Sequence, residues 1–195
     1  MTSHPDYNVI ISAHEHVMPK TLEETAHRSS NSRWVSRGAE LWERVIAPNR
    51  NVVIVLSGHF HGLGQLVTEN AGGLEGHTVV ELLADYQEFR THTGERATGF
   101  FRMLQFDLDQ GAIAVDTRSM RLDASVSAEY DYRQFLPDNG LATTPSNVRP
   151  WNIVETGLQH RYGAEDDEFT AHVTLQHPKL VATESVHVSA PETVQ

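Results

Sequence analysis

Val52-Val53-Ile54-Val55-Leu56-Ser57-Gly58-His59-Phe60-His61 is a run of aliphatic residues that ends in a glycine and two histidines. A strand buried on both faces needs such a run, because neither face alternates with polar residues. The glycine just past it is where the backbone is expected to turn sharply. Two imidazoles then sit at the mouth of the strand. Neutral imidazole is the commonest nitrogen ligand for zinc, iron and manganese, and a pair one residue apart on a bend reaches either one ion or two neighbouring ions. A bare G-H-x-H string also matches ordinary loop histidines by chance, so the surroundings must decide.

Upstream, Asn8-Val9-Ile10-Ile11-Ser12 is a second compact apolar run, followed by Ala13-His14-Glu15-His16. Between the two runs, the polar stretch Thr25 to Ser32 reads as a loop. Arg37 to Ile46 then spaces Leu41, Trp42, Val45 and Ile46 on one helical face before Pro48 stops it. Strand, helix and strand make a βαβ unit with histidines at both carboxyl ends, where open α/β sheets hold their ligands. At a strand spacing of ~4.8 Å those ends lie within about 5–10 Å of each other, so His14, His59 and His61 can converge.

Downstream the pattern changes to short strands between turn signals: Leu63 to Thr68, Thr78 to Leu83, Phe100 to Phe106 and Ala112 to Ser119. This half reads as an antiparallel meander, and its aromatic and aliphatic alternation as packing. A Pro/Asn/Thr linker runs from Pro137 to Pro150, and strand-like pieces follow at Glu168 to Leu175 and Leu180 to Val188.

The chain has 195 residues, 26 acidic and 15 basic, for a net charge of −11. Nucleic-acid backbones and anionic membrane surfaces are repelled by that excess, so neither is an expected partner. A phosphate ester held through a cation remains compatible with it, because a bound metal inverts the local field. With no cysteine among the 195 residues and 12 histidines, transition-metal chemistry rests on His, Asp and Glu. No stretch reaches the ~18 apolar residues of a membrane span, and Met1 to Pro5 lacks the basic and apolar regions of a leader. As it stands the chain reads as soluble and cytoplasmic, while a parent protein could be exported.

At Val9-Ile10-Ile11-Ser12-Ala13-His14 and Val53-Ile54-Val55-Leu56-Ser57-Gly58-His59-Phe60-His61-Gly62, the chain resembles the last two motifs of the calcineurin-like metallophosphoesterases. Val79 to Gln87 and Gly99 to Asp107 resemble the bacterial branch of that family, so the likeness covers residues 5 to 123. It implies a domain in which two divalent ions (Mn, Fe or Zn) lie side by side and clamp a phosphate ester. By position, His14 and His59 would ligate one ion and His61 the other. Independently of the resemblance, Asp85, Tyr86, Gln87 and Phe89 at the end of a strand are candidates to line a substrate cleft. The alternative is that Tyr86 simply caps the sandwich, as aromatic residues at strand ends commonly do.

The family's Asp-x-His, bridging-aspartate and Gly-Asn-His-Asp/Glu motifs precede the first of these two, and this chain has none of them. The chain therefore reads as the C-terminal half of a metallophosphoesterase domain over 1–123, with a linker and β-rich extension over 124–195. The fold class is α/β, a partial phosphoesterase sandwich with a βαβ portion followed by antiparallel strands. Alone, it is expected to bind a single metal weakly and to lack efficient turnover, since neutral imidazoles supply no charge to pin two dications together. The strands of Val9 and Val53 are expected to expose an unpaired apolar edge through which the chain associates. The competing reading is a catalytically inactive truncated module that binds a protein or glycan.

Other candidates read less sharply. His16 is an alternative to His14 as ligand, and Glu15 reads as a solvent-facing neighbour. Met18 breaks the H-E-x-x-H pattern of a zinc protease. His77 reads as a surface or strand-edge residue, and His27, His92, His160, His172, His177 and His187 as solvated. Ser57 has no G-x-S-x-G elbow around it, and Gly62-Leu63-Gly64 is only half of a dinucleotide loop.

Overall fold

The structure is a computed structural model, and it describes residues 5–21, 24–30, 38–131 and 162–177. The linker at Pro137 to Pro150, the strand-like piece at Leu180 to Val188, and His160 and His187 lie outside the described residues. The fold is mixed α/β, mostly strands in sheets with few helices. The strands are β1 (Val9–Ala13), β2 (Val17–Met18), β3 (His27–Arg28), β4 (Val52–Ser57), β5 (Gly62–Thr68), β6 (Val79–Asp85), β7 (Phe100–Asp107), β8 (Ala112–Ser119) and β9 (Glu168–His172). Two one-turn helices, α1 (Gly38–Leu41) and α2 (Ala164–Asp167), accompany them, and α1 runs on into a π-helical turn over Trp42–Ile46.

The central sheet has the order β1-β4-β6-β5. β1 and β4 are parallel, as the βαβ reading requires, and the helical turn lies in the crossover between them. The crossover also carries a small antiparallel pair, β2 with β3, and β3 lies inside the Thr25 to Ser32 stretch that reads as a polar loop. The simple meander does not hold. β6 lies between β4 and β5, parallel to the first and antiparallel to the second. An apolar strand flanked on both sides satisfies its whole backbone within the sheet, which suits the centre better than an edge.

β4 is thus an interior strand, so of the two strands expected to expose an edge only β1 lies at one, and β5 forms the opposite edge of the sheet. Ile10 on β1 is 49 % exposed. β7, β8 and β9 form a second, antiparallel sheet. The two sheets enclose a core in which Ile54, Val80 and Leu82 meet Ile113, Val115, Ala171 and Val173. Burying each large aliphatic side chain there contributes about 1.5–3 kcal/mol. The opposite face of the central sheet packs Val55 and Val79 against Ile46, Leu41 and Trp42 of the helical turn.

The described part of the extension is built into the same body. β9 pairs with β8, and Asn8 and Gln176 exchange two hydrogen bonds of 2.8 and 2.7 Å. Ala124 bridges back to Ser119, so the chain packs continuously across residue 124.

Candidate metal site at the carboxyl ends of the central strands

Three parallel strands end on the same side of the central sheet. Ala13 of β1 stands opposite Ser57 of β4, which in turn stands opposite Leu83 of β6. The residues that follow, His14, Gly58-His59 and Asp85, therefore emerge along one rim. Gly62, directly after His61, pairs with Asp85 and brings that histidine to the same rim.

The two histidine tips are joined through the backbone: the Gly58 N–H donates to the His14 carbonyl oxygen at 3.3 Å. The turn is not made by the glycine. Gly58 keeps an ordinary φ, whereas His59 takes the left-handed conformation at φ 68°. L-residues other than Asn and Asp adopt that region at a cost, and such positions cluster at functional sites. With this turn the His14 and His59 ring centroids stand 4.7 Å apart, tilted by 51°, and Phe60 packs edge-on to His59 at 5.0 Å. A hollow of about 450 Å³, lined by Ser12, Ala13, His14, Leu56, Ser57 and Gly58, opens beside them.

Two imidazoles that share one tetrahedral ion at ~2.1 Å hold their centroids roughly 5 Å apart, close to the separation found. Among the described residues, no group of three His, Cys, Asp or Glu side chains stands close enough to hold an ion. The structure thus brings His14 and His59 together, and among the described residues no third side chain of these types completes a group with them. Asp85 is half-buried, and its carboxylate accepts the Gln87 N–H at 3.0 Å.

Tyr86 points elsewhere. Its ring packs against Phe89 and Phe100, with centroids 5.2 and 5.5 Å away. Its hydroxyl accepts from Arg102 Nε at 3.2 Å and lies 3.3 Å from Thr117 Oγ1. Burial raises the phenol's pKa above its ordinary value, with Arg102 opposing.

Several neighbours differ from their sequence reading. Glu15 is fully buried rather than solvent-facing, and Ser29 Oγ donates to it at 2.6 Å. His16 is fully buried too, and its Nε2 donates to Glu81 Oε1 at 2.6 Å. Glu81, in the middle of β6, also receives two hydrogen bonds from Arg28, whose guanidinium lies 3.4 Å over the Trp42 ring. Removing one partner of such a buried ionic set leaves an uncompensated charge, at a cost of about 3–5 kcal/mol. His77 is buried, with ring nitrogens 3.2 Å from the Ala71 carbonyl and 3.0 Å from that of Val52.

Sequence reasoning passed over Glu81, although a signal was present. A carboxylate at the centre of Val79-Val80-Glu81-Leu82-Leu83, a strand apolar on both faces, needs a buried partner.

Over 122 residues, 61 % of its length, the chain is 31 % identical to the uncharacterized protein YvnB of Bacillus subtilis (strain 168). That stretch is 8 % of YvnB, so the chain spans a small fraction of the length of this relative. No family model matches the chain, and no solved structure matches it.

Proposed function

We propose that this chain carries the histidine side of a divalent-metal site for phosphoester hydrolysis, in a domain of the calcineurin-like metallophosphoesterase type. The observation that carries the reading is the His14–His59 pair, held at 4.7 Å on the carboxyl ends of adjacent parallel strands. The resemblance of the two histidine motifs and the two-sheet packing support it further. His14 and His59 hold the ion through ring nitrogens. His61, on the same rim, serves the second ion of a complete domain. Asp85 faces the substrate, and Tyr86 braces the strand end on which Asp85 sits. A dication bound there neutralises charge on a phosphate ester and lowers the pKa of its water towards neutrality.

The partner is a small phosphate ester. Taken alone, this chain binds one Mn, Fe or Zn ion weakly and turns over slowly, because two neutral imidazoles supply no negative charge. The β1 edge is where the rest of such a domain, or a second copy, would add strands.

Calorimetric titration of the purified chain with Zn²⁺ or Mn²⁺ tests the reading. Binding that disappears in the His14→Ala, His59→Ala double variant supports it, and equal binding by both proteins refutes it. Robust hydrolysis of an aryl phosphate by the isolated chain would overturn the claim of slow turnover. The competing reading, an inactive module that binds a protein or glycan, draws on Phe101 and Met103, which are 42 % and 46 % exposed on β7. Partner capture unchanged by His59→Ala would favour it.

A further inference from the structure

We infer that the buried cluster of Glu81, His16 and Arg28 is a positioning device that holds His14 over His59. The inference rests on the metal-site reading for the purpose of the pair, but not for its geometry, which exists without an ion.

The segment from His14 to Val17 leaves β1 and is fastened at every residue. The His14 carbonyl accepts from Gly58 N–H at 3.3 Å. The Glu15 carboxylate accepts from Ser29 Oγ, and the His16 carbonyl accepts from Ser29 N–H at 2.7 Å. The His16 ring donates to Glu81 Oε1, and Val17 N–H donates to Ser57 Oγ at 3.4 Å. Ser57 Oγ in turn donates to the Leu82 carbonyl at 3.0 Å.

Two of these links reach Ser57 and Gly58, just before His59; one, from the His16 ring, reaches β6, and Ser57 is itself tied to β6. Glu81 is the fixed point. It is fully buried, it belongs to the central strand β6, and Arg28 supplies its counter-charge from β3. Arg28 is itself held by Thr68 Oγ1 at 2.8 Å and by the Trp42 face. Gly38 closes the cluster from the helix side, where a Cβ would collide with the His16 carbonyl oxygen. A loop tied to two neighbouring strands of a rigid sheet keeps its ring in one place, as a pre-organised ligand needs.

None of the three residues touches the hollow beside His14 and His59, whose lining contains none of them. They act through His14 and are positioning residues.

The test uses the full chain, stripped of metal with a chelator. In wild type, the ring protons of His14 and His59 are expected to share a nuclear Overhauser effect, as their 4.7 Å separation requires. Glu81→Gln, which keeps shape and removes charge, is expected to abolish that effect. The methyl shifts of Ile54 and Ile113 should remain in place, reporting an intact core. Co²⁺ affinity should fall by about tenfold in the same variant, and by nothing when Glu81→Gln is added to His14→Ala. If Glu81→Gln does not fold, Arg28→Lys at the partly exposed end of the cluster is the milder variant. It should weaken the same ring contact, and Glu81→Asp should restore part of it.

Ring contact and Co²⁺ affinity both unchanged in folded Glu81→Gln or Arg28→Lys would overturn the inference, as would an equal affinity loss in the His14→Ala background. A wild-type chain that binds no Co²⁺, yet loses its ring contact on Glu81→Gln, would sink the metal reading and leave the positioning role standing.

Discussion

The two ends of the central sheet both carry histidine, and use it in opposite ways. At the amino ends of β4 and β6, His77 is buried with its ring nitrogens spent on the carbonyls of Ala71 and Val52. At the carboxyl ends, His14 is exposed beside a half-buried His59 whose backbone is left-handed, and a hollow opens next to His14. One imidazole holds the fold together, whereas the other two are held in place by it. Residue type alone does not separate these roles. What separates them is whether the backbone around the ring needs its hydrogen bonds.

The contrast breaks most visibly at His77. His77→Ala opens a cavity and removes the buried ring's hydrogen bonding to the Ala71 and Val52 carbonyls, and should cost about 2–4 kcal/mol in denaturant unfolding while leaving Zn²⁺ affinity unchanged. A loss of affinity without loss of stability would erase the distinction between the ends. His14→Ala should do the reverse, with stability moving by less than about 0.5 kcal/mol. Its Zn²⁺ affinity in calorimetry should fall about tenfold or more, which is roughly 1.4 kcal/mol.

The scaffold beneath both ends has a pH dependence of its own. Burial raises the carboxyl of Asp167 above its ordinary value of 3.8, although three hydrogen bonds from Ser127 and Ala128 and the charge of Arg102 oppose the shift. The folded chain therefore holds this proton more tightly than the unfolded chain. This group's contribution to stability falls as pH rises from about 3.8 through its folded pKa, and is level above it. Asp167→Asn should flatten that slope in unfolding experiments across the same window; a slope that survives assigns it to another group. The smallest gain or loss at a single backbone turn is expected at His59. His59→Gly relieves the left-handed backbone and should stabilise the chain by about 0.5–1 kcal/mol while weakening Zn²⁺ binding. Destabilisation there would mean that the ring, and not the turn, sets the conformation.

Much of the fold was legible because strands buried on both faces write themselves as unbroken aliphatic runs. The runs at Val9 and Val52, the helical spacing of Leu41, Trp42 and Ile46, and the alternation in β7 and β8 all mark elements where the structure has them. The position of β6 was not legible, since hairpin spacing describes its pairing with β5 but not the insertion of the pair's second strand beside β4. Glu15 was misread, and the burial of His16 went unread, for a related reason. Polar residues after a strand usually face water, and their partners Ser29 and Glu81 lie 14 and 65 residues away. The turn at His59 was assigned to Gly58 because glycine is the residue that tolerates positive φ, while here tertiary contacts impose it on its neighbour.

The amino-acid order by itself determined which segments are strands, that β1 and β4 run parallel, and hence that His14 and His59 emerge on the same rim. Local periodicity and crossover chemistry suffice for that. Only the tertiary structure decided that two rings meet at 4.7 Å, that His16 turns inward to Glu81, and that β6 lies in the middle of the sheet. Such outcomes depend on pairing buried polar groups across long stretches of chain, and the cost of leaving one unpaired is felt only once the core has closed.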